Sequence, residues 1–126
     1  MKHNLNLIKK KYSEKTLEKN IDLFNYEDWF CIARFQKLSE KFIEKYSDKL
    51  NWYYISGFQN LSEEFMEKHS NKICWFSISL YQKLSEEFIK KHINKIDVEE
   101  LMYNKRVSKK TKNKIKKEIN LLKEII

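Results

Sequence analysis

There is no proline in this chain and only one glycine, Gly57. A β-rich fold draws on those residues for its turns, so their scarcity points to helix. It also removes every glycine-rich phosphate cradle, because a P-loop or dinucleotide fingerprint needs two or three glycines in register. No apolar run approaches membrane-spanning length. The N-terminus offers only Leu5, Leu7 and Ile8 before Lys9-Lys10-Lys11, too short for the core of a signal peptide. Cysteine is limited to Cys31 and Cys74, without CxxC spacing, which predicts a reducing, cytoplasmic setting. Arginine is nearly absent as well, two against 24 lysines.

What is present is a repeat. Residues 61–83 read LSEEFMEKHSNKICWFSISLYQK, residues 84–106 open with LSEEFIKKHINKI, and residues 38–60 read LSEKFIEKYSDKLNWYYISGFQN. Trp29, Trp52 and Trp75 share the same 23-residue offset. A fixed period of this size is the mark of stacked repeats. At 126 residues, 41% of them apolar and 14% aromatic, the chain has the material for a single small domain. Residues 12–37 read as a diverged first copy with three extra residues somewhere in 21–27. Residues 1–11 are expected to form a short capping helix or arm, with Leu5 and Ile8 at i,i+3 spacing. Residues 107–126 restart the motif and run on as one long helix. The predicted fold is all-α: a short α-solenoid of helix pairs closed by that longer C-terminal capping helix.

Each copy carries its own helix signals. Ser13, Ser39, Ser62, Ser85 and Ser108 stand where an N-cap belongs, and a Ser oxygen there accepts from an unpaired amide of the first turn. On that reading Ser62→Asp is expected to be nearly neutral. Tyr12, Leu38, Leu61 and Leu84 precede four of the caps, and Leu17, Ile43, Met66 and Ile89 follow four residues after them, the spacing of a hydrophobic staple. Acidic residues follow the caps and Lys or His closes the helix, which suits the helix dipole. This helix A is expected to run about ten residues. Helix B is expected to start at Asp28, Asn51, Cys74 or Asp97. It carries Trp-x-x-Ile-(Ala/Ser)-x-(Phe/Tyr) on one buried face: Trp29, Ile32, Phe35; Trp52, Ile55, Phe58; Trp75, Ile78, Tyr81. The small Ala33, Ser56 and Ser79 would let a neighbouring helix approach.

The pattern from Trp52 and Ser56 through Gln59-Asn60-Leu61-Ser62-Glu63 onward resembles a tandem repeat of phage, giant-virus and mobile-element proteins, roughly W-x-x-I-S-x-x-Q-x-L-S-E-x-F-I. The match covers about residues 28–97, with Tyr46 in place of His and Val98 in place of Trp as departures. The resemblance implies a viral or phage interaction protein acting in the host cytoplasm, such as an anti-CRISPR-like inhibitor of a host defence complex.

The residues offer no reaction. His69 and His92 recur one repeat apart, too far for the roughly 2 Å convergence that zinc requires, so no metal, cofactor or catalytic residue is assigned and no enzyme is expected. The aromatic series is read as core rather than as a base-stacking platform. Cys31, Arg34, Tyr54, Gly57, Ser77 and Leu80 occupy positions that vary between copies while their neighbours recur, and in repeat proteins the varying face is the usual binding face. They are the candidate partner-binding residues, for a host protein or ribonucleoprotein, with the chain acting as a monomer away from membranes. Of the net charge of +8, residues 105–126 supply +7, nine Lys/Arg against two acids. Lys105, Arg106, Lys109, Lys110, Lys112, Lys114, Lys116 and Lys117 are the candidate nucleic-acid-binding residues, through counterion release from phosphates. Ile115, Ile119, Leu122 and Ile126, with Leu121 and Ile125, make an apolar stripe on the same helix that either caps the array or pairs with a second chain.

Overall fold

A computed structural model describes residues 2–125. The described residues are helical, with no strand among them, and the helices follow the repeat. Two compact units emerge, Met1–Leu61 and Ser62–Ile126. In the first, α1 (Glu14–Lys19), a 3-10 turn (Ile21–Leu23), α2 (Tyr26–Phe35), α3 (Glu40–Lys45) and α4 (Trp52–Phe58) follow in order. In the second are α5 (Glu63–Lys68), α6 (Trp75–Tyr81), α7 (Glu86–Lys91), α8 (Val98–Met102) and α9 (Lys109–Ile125). Within the units α2 packs on α4, α6 on α8, and α9 on both α7 and α8. This is the all-α helical-repeat architecture, with a long last helix. Ile126, which the apolar stripe included, lies outside the described residues.

All five serines cap as expected: Ser13 accepts from the Thr16 amide, Ser39 from Phe42, Ser62 from Phe65, Ser85 from Phe88 and Ser108 from Thr111, at 3.1–3.2 Å. Helix A is six residues long rather than ten. It stops because the chain tightens into i→i+3 bonds after Tyr46 or His92: the amides of Lys49 and Lys95 return to the carbonyls of those residues at 3.0 and 2.8 Å. That turn swings the plug residues Leu50, Ile73 and Ile96 into the interior, where each is 6% exposed. Three starts of helix B also match, at Asn51, Cys74 and Asp97, the Cys74 start without a side-chain cap. Asn51 accepts from the Tyr54 amide and Asp97 from Glu100. In the first copy the cap is Asn25, not Asp28. Asp28 instead completes a capping box by accepting from the Asn25 amide at 2.9 Å. The three extra residues therefore lengthen α2 by nearly a turn relative to α4 and α6.

Leu17, Ile43, Met66 and Ile89 from the A helices and Ile32, Ile55, Ile78 and Leu101 from the B helices are fully buried. Ala33, Ser56 and Ser79 are buried too, as close helix approach requires. The aromatic face of helix B departs from expectation. Trp29 is buried, Trp52 and Trp75 are half-buried, and Phe58 and Tyr81 are each 48% exposed. The indole N–H of Trp52 and Trp75 needs an acceptor and finds the carbonyls of Ser47 and Ser70 near the turn edge, which keeps the ring at the boundary.

Two polar devices join successive copies. The first is a buried amide. Gln59 donates to the carbonyls of Ala33 and Gln36 at 2.9 and 2.6 Å and accepts from the Leu38 amide at 3.0 Å. Gln36 does the same one step earlier, donating to Leu7 and Lys10 and accepting from Tyr12. The N-terminal arm is thus not a helix packed through Leu5 and Ile8. Residues 7–12 present their backbone as residues 33–38 do, and Leu7 is the buried side chain while Ile8 is 55% exposed. In the second unit Asn104 donates to Ser79 and Gln82 at 2.8 Å. At the last copy Lys112 reaches the Met102 carbonyl at 3.3 Å, a carbonyl equivalent to those of Ala33 and Ser79.

The second device is a carboxylate holding the next cap. Glu14 receives the amide and hydroxyl of Ser39 at 2.5 and 2.8 Å, and Glu63 receives those of Ser85 at 2.7 and 2.9 Å. At Ser39 and Ser85 an Asp would therefore set a second carboxylate against Glu14 or Glu63. Ser85→Ala should cost about 1 kcal/mol for the lost cap. Ser85→Asp should cost more than Ser85→Ala, because its carboxylate would face Glu63. Urea midpoints of the two variants check this, and an Asp variant as stable as wild type would contradict the pairing.

Candidate functional site

The A helices are committed to these internal ties. Glu18 takes Lys45 and the Tyr46 hydroxyl at 2.7 and 2.8 Å, and Glu67 takes Lys91 and His92 at 2.9 and 3.2 Å. Lys91 thus reaches across copies instead of pairing with Glu87. The hydrogen bond from Lys45 holds the Glu18 carboxyl below its ordinary range, and that from Lys91 does the same for Glu67. His92 lies over Phe88 and Trp75, with ring centroids 4.5 and 5.2 Å away. Among the described residues no three His, Cys, Asp or Glu side chains converge as metal ligands.

The surface of α2 and α4 is different. Arg34 is exposed, and its guanidinium carbon lies 4.7 Å from the Phe58 ring centroid, 5.0 Å from Phe35 and 5.8 Å from Tyr54. Tyr54 in turn stacks on Phe58 at 5.9 Å and meets Phe30 edge-on at 4.3 Å. Beside this cluster a cleft is lined by Lys11, Arg34, Phe35, Lys37 and Phe58. The Lys11 ammonium donates to the Phe35 carbonyl at its edge. A planar cation framed by aromatic rings, with two further lysines at the rim, suits an acidic group presented beside apolar surface.

Of the six varying positions, the structure brings Arg34 and Tyr54 together. Cys31 and Gly57 are half-buried on the same two helices. Burial raises the Cys31 thiol, helped by Asp28 and Glu27, so it stays protonated and is a packing group rather than a nucleophile. In the second unit Leu80 is half-buried on α6. Ser77 is buried there at 2% exposure, with its hydroxyl 3.6 Å from the Cys74 sulfur, so it sits inside the packing and off the surface. Phe58, Lys11 and Lys37 were not among the expected site residues. Phe58 was placed in the core by its helical spacing, and Lys11 and Lys37 lie where copies join. The recurrence of a cation at this junction position, as Lys11, Lys37, Lys83 and Arg106 with Asn60 the exception, was the available signal.

On α9 and the turn before it, Lys105, Arg106, Lys109, Lys110, Lys114, Lys116 and Lys117 are exposed. Two candidate cations have structural roles. Lys112 holds the Met102 carbonyl, and Lys114 pairs with Glu86 at 3.0 Å, which with Lys90–Glu118 at 3.1 Å fastens α9 to α7. Ile115 is buried beneath this half, whereas Leu121, Leu122 and Ile125 are 51%, 59% and 81% exposed. The stripe therefore caps with its first half only. No helix among the described residues is long and apolar enough to cross a membrane. No family model matches the chain, and neither curated proteins nor solved structures include a match to it.

Proposed function

We propose that the chain is a non-enzymatic interaction module that docks on an acidic surface of a protein partner through the α2–α4 face. The observation that supports it most is the Arg34 guanidinium set among Phe35, Tyr54 and Phe58 at an exposed surface. Arg and aromatic residues are the side chains that dominate interface energetics. The buried polar groups of the repeats, by contrast, are engaged in holding copies together. The likeness of the repeats to phage and giant-virus proteins extends the proposal to a viral inhibitor of a host defence complex. Its support is the repeat motif itself.

Arg34→Glu tests the docking face. It removes no buried contact, so the thermal midpoint should stay within a degree or two, as for surface changes in general. The complex with a co-purified partner should be lost, since a desolvated cation reversed in sign costs an interface several kcal/mol. A variant that still holds its partner would overturn this assignment.

A further inference from the structure

A separate observation concerns the start of α9. The first residue after the cap is Glu14, Glu40, Glu63 or Glu86 in four copies and Lys109 in the fifth. Every other A helix has an acid in its first turn, and α9 has none. Cations at that end oppose the helix dipole, so the inversion is unfavourable for folding. The turn of the helix then places Lys109, Lys110, Lys116 and Lys117 on one flank with Asn113 and Asn120. All six are exposed, and the flank opposite holds buried Ile115 with half-buried Thr111, Glu118 and Ile119. Of the two acids on α9, Glu118 faces the packing side and is held by Lys90, and Glu124 stands two turns beyond Lys117.

We infer that this flank binds the phosphate backbone of duplex nucleic acid without regard to sequence. From Lys109 to Lys117 the helix rises about 12 Å, at 1.5 Å per residue, and a duplex carries one phosphate charge per about 1.7 Å of its axis, so each of the four ammonium groups can take a phosphate. Lysine heads in this arrangement contact phosphates and carry no base information. The flank has no aromatic side chain on which unpaired bases could stack, which favours a duplex over a single strand. Lys112 and Lys114 are excluded, since both are spent on holding α9 in place.

The test is a fluorescence-anisotropy titration of the full chain against a random-sequence DNA duplex at several salt concentrations. With four phosphates engaged, affinity should fall about 150-fold between 50 and 200 mM salt, from a slope near 0.9 per contact. Replacing Lys109, Lys110, Lys116 and Lys117 by Gln should reduce that slope by three to four and leave the fold intact by circular dichroism. Arg34→Glu should leave the slope unchanged. Absence of salt-dependent binding, or the same slope in the Gln variant, would overturn the inference. So would binding to anionic lipid vesicles but not to the duplex, abolished by Leu121→Asp with Leu122→Asp, because the exposed apolar end would then be the operative surface.

Discussion

Gln59→Leu should destabilise the protein by about 3–5 kcal/mol. The substitution keeps the side-chain volume and adds apolar character, which in most buried positions is tolerated. Here it strips partners from two carbonyls and one amide, those of Ala33, Gln36 and Leu38, all drawn to one side chain that is 4% exposed. An orphaned buried backbone group costs about 1–3 kcal/mol, more than its hydrogen bond contributes net. Gln59→Glu should fare no better, because a carboxylate has no N–H to offer those carbonyls. The midpoint and slope of urea unfolding give the measurement. A loss under about 1 kcal/mol would mean that water or backbone shifts satisfy the three groups, and the amide would then be incidental to stacking.

Phe88→Ala should cost about 3–5 kcal/mol, the range for truncating a large buried aromatic. Phe88 is 3% exposed, beside fully buried Ile89, and its ring carries both His92 and, at 6.0 Å, Trp75. Trp75→Ala should cost clearly less, although the indole is larger. Its ring is half-buried, and the Ser70 carbonyl it serves lies at the turn edge, where water can replace the N–H. The recurring Trp is the most visible residue of the repeat and suggests the opposite order. Equal losses, or a larger one for Trp75, would show that the indole anchors the core.

The elements that could be read from residue order alone are those with local causes. Ser caps, staple residues and the Ile of helix B depend on neighbours within a few positions, and all are found where spacing puts them. The length of helix A was overestimated because its end is set by a tight turn, for which no Gly or Pro gives notice; Tyr46 and His92 end it with ordinary backbone angles. Gln36, Gln59 and Gln82 recur every 23 residues as plainly as the tryptophans do. Their type suggests a surface, so only their regularity pointed to a buried role. Contacts between copies are non-local. For that reason the serine hydroxyls held by Glu14 and Glu63, and the arm that imitates residues 33–38, had no local signature. For the site, variation between copies picked out Arg34 and Tyr54. It also picked Ser77, because variation reports freedom from the repeat constraint and not exposure.

That freedom is most meaningful at Arg34, where an exposed cation sits among half-buried Phe35 and Tyr54 and exposed Phe58, and it is there that the account has most at stake. Tagged protein should be purified from its host with and without nuclease, and the mass of the resulting complex determined. The account predicts a protein partner in stoichiometric amount that survives nuclease treatment and is absent when Arg34 is replaced by Glu. Loss of every partner on nuclease treatment, with the Arg34→Glu protein behaving as wild type, would contradict it.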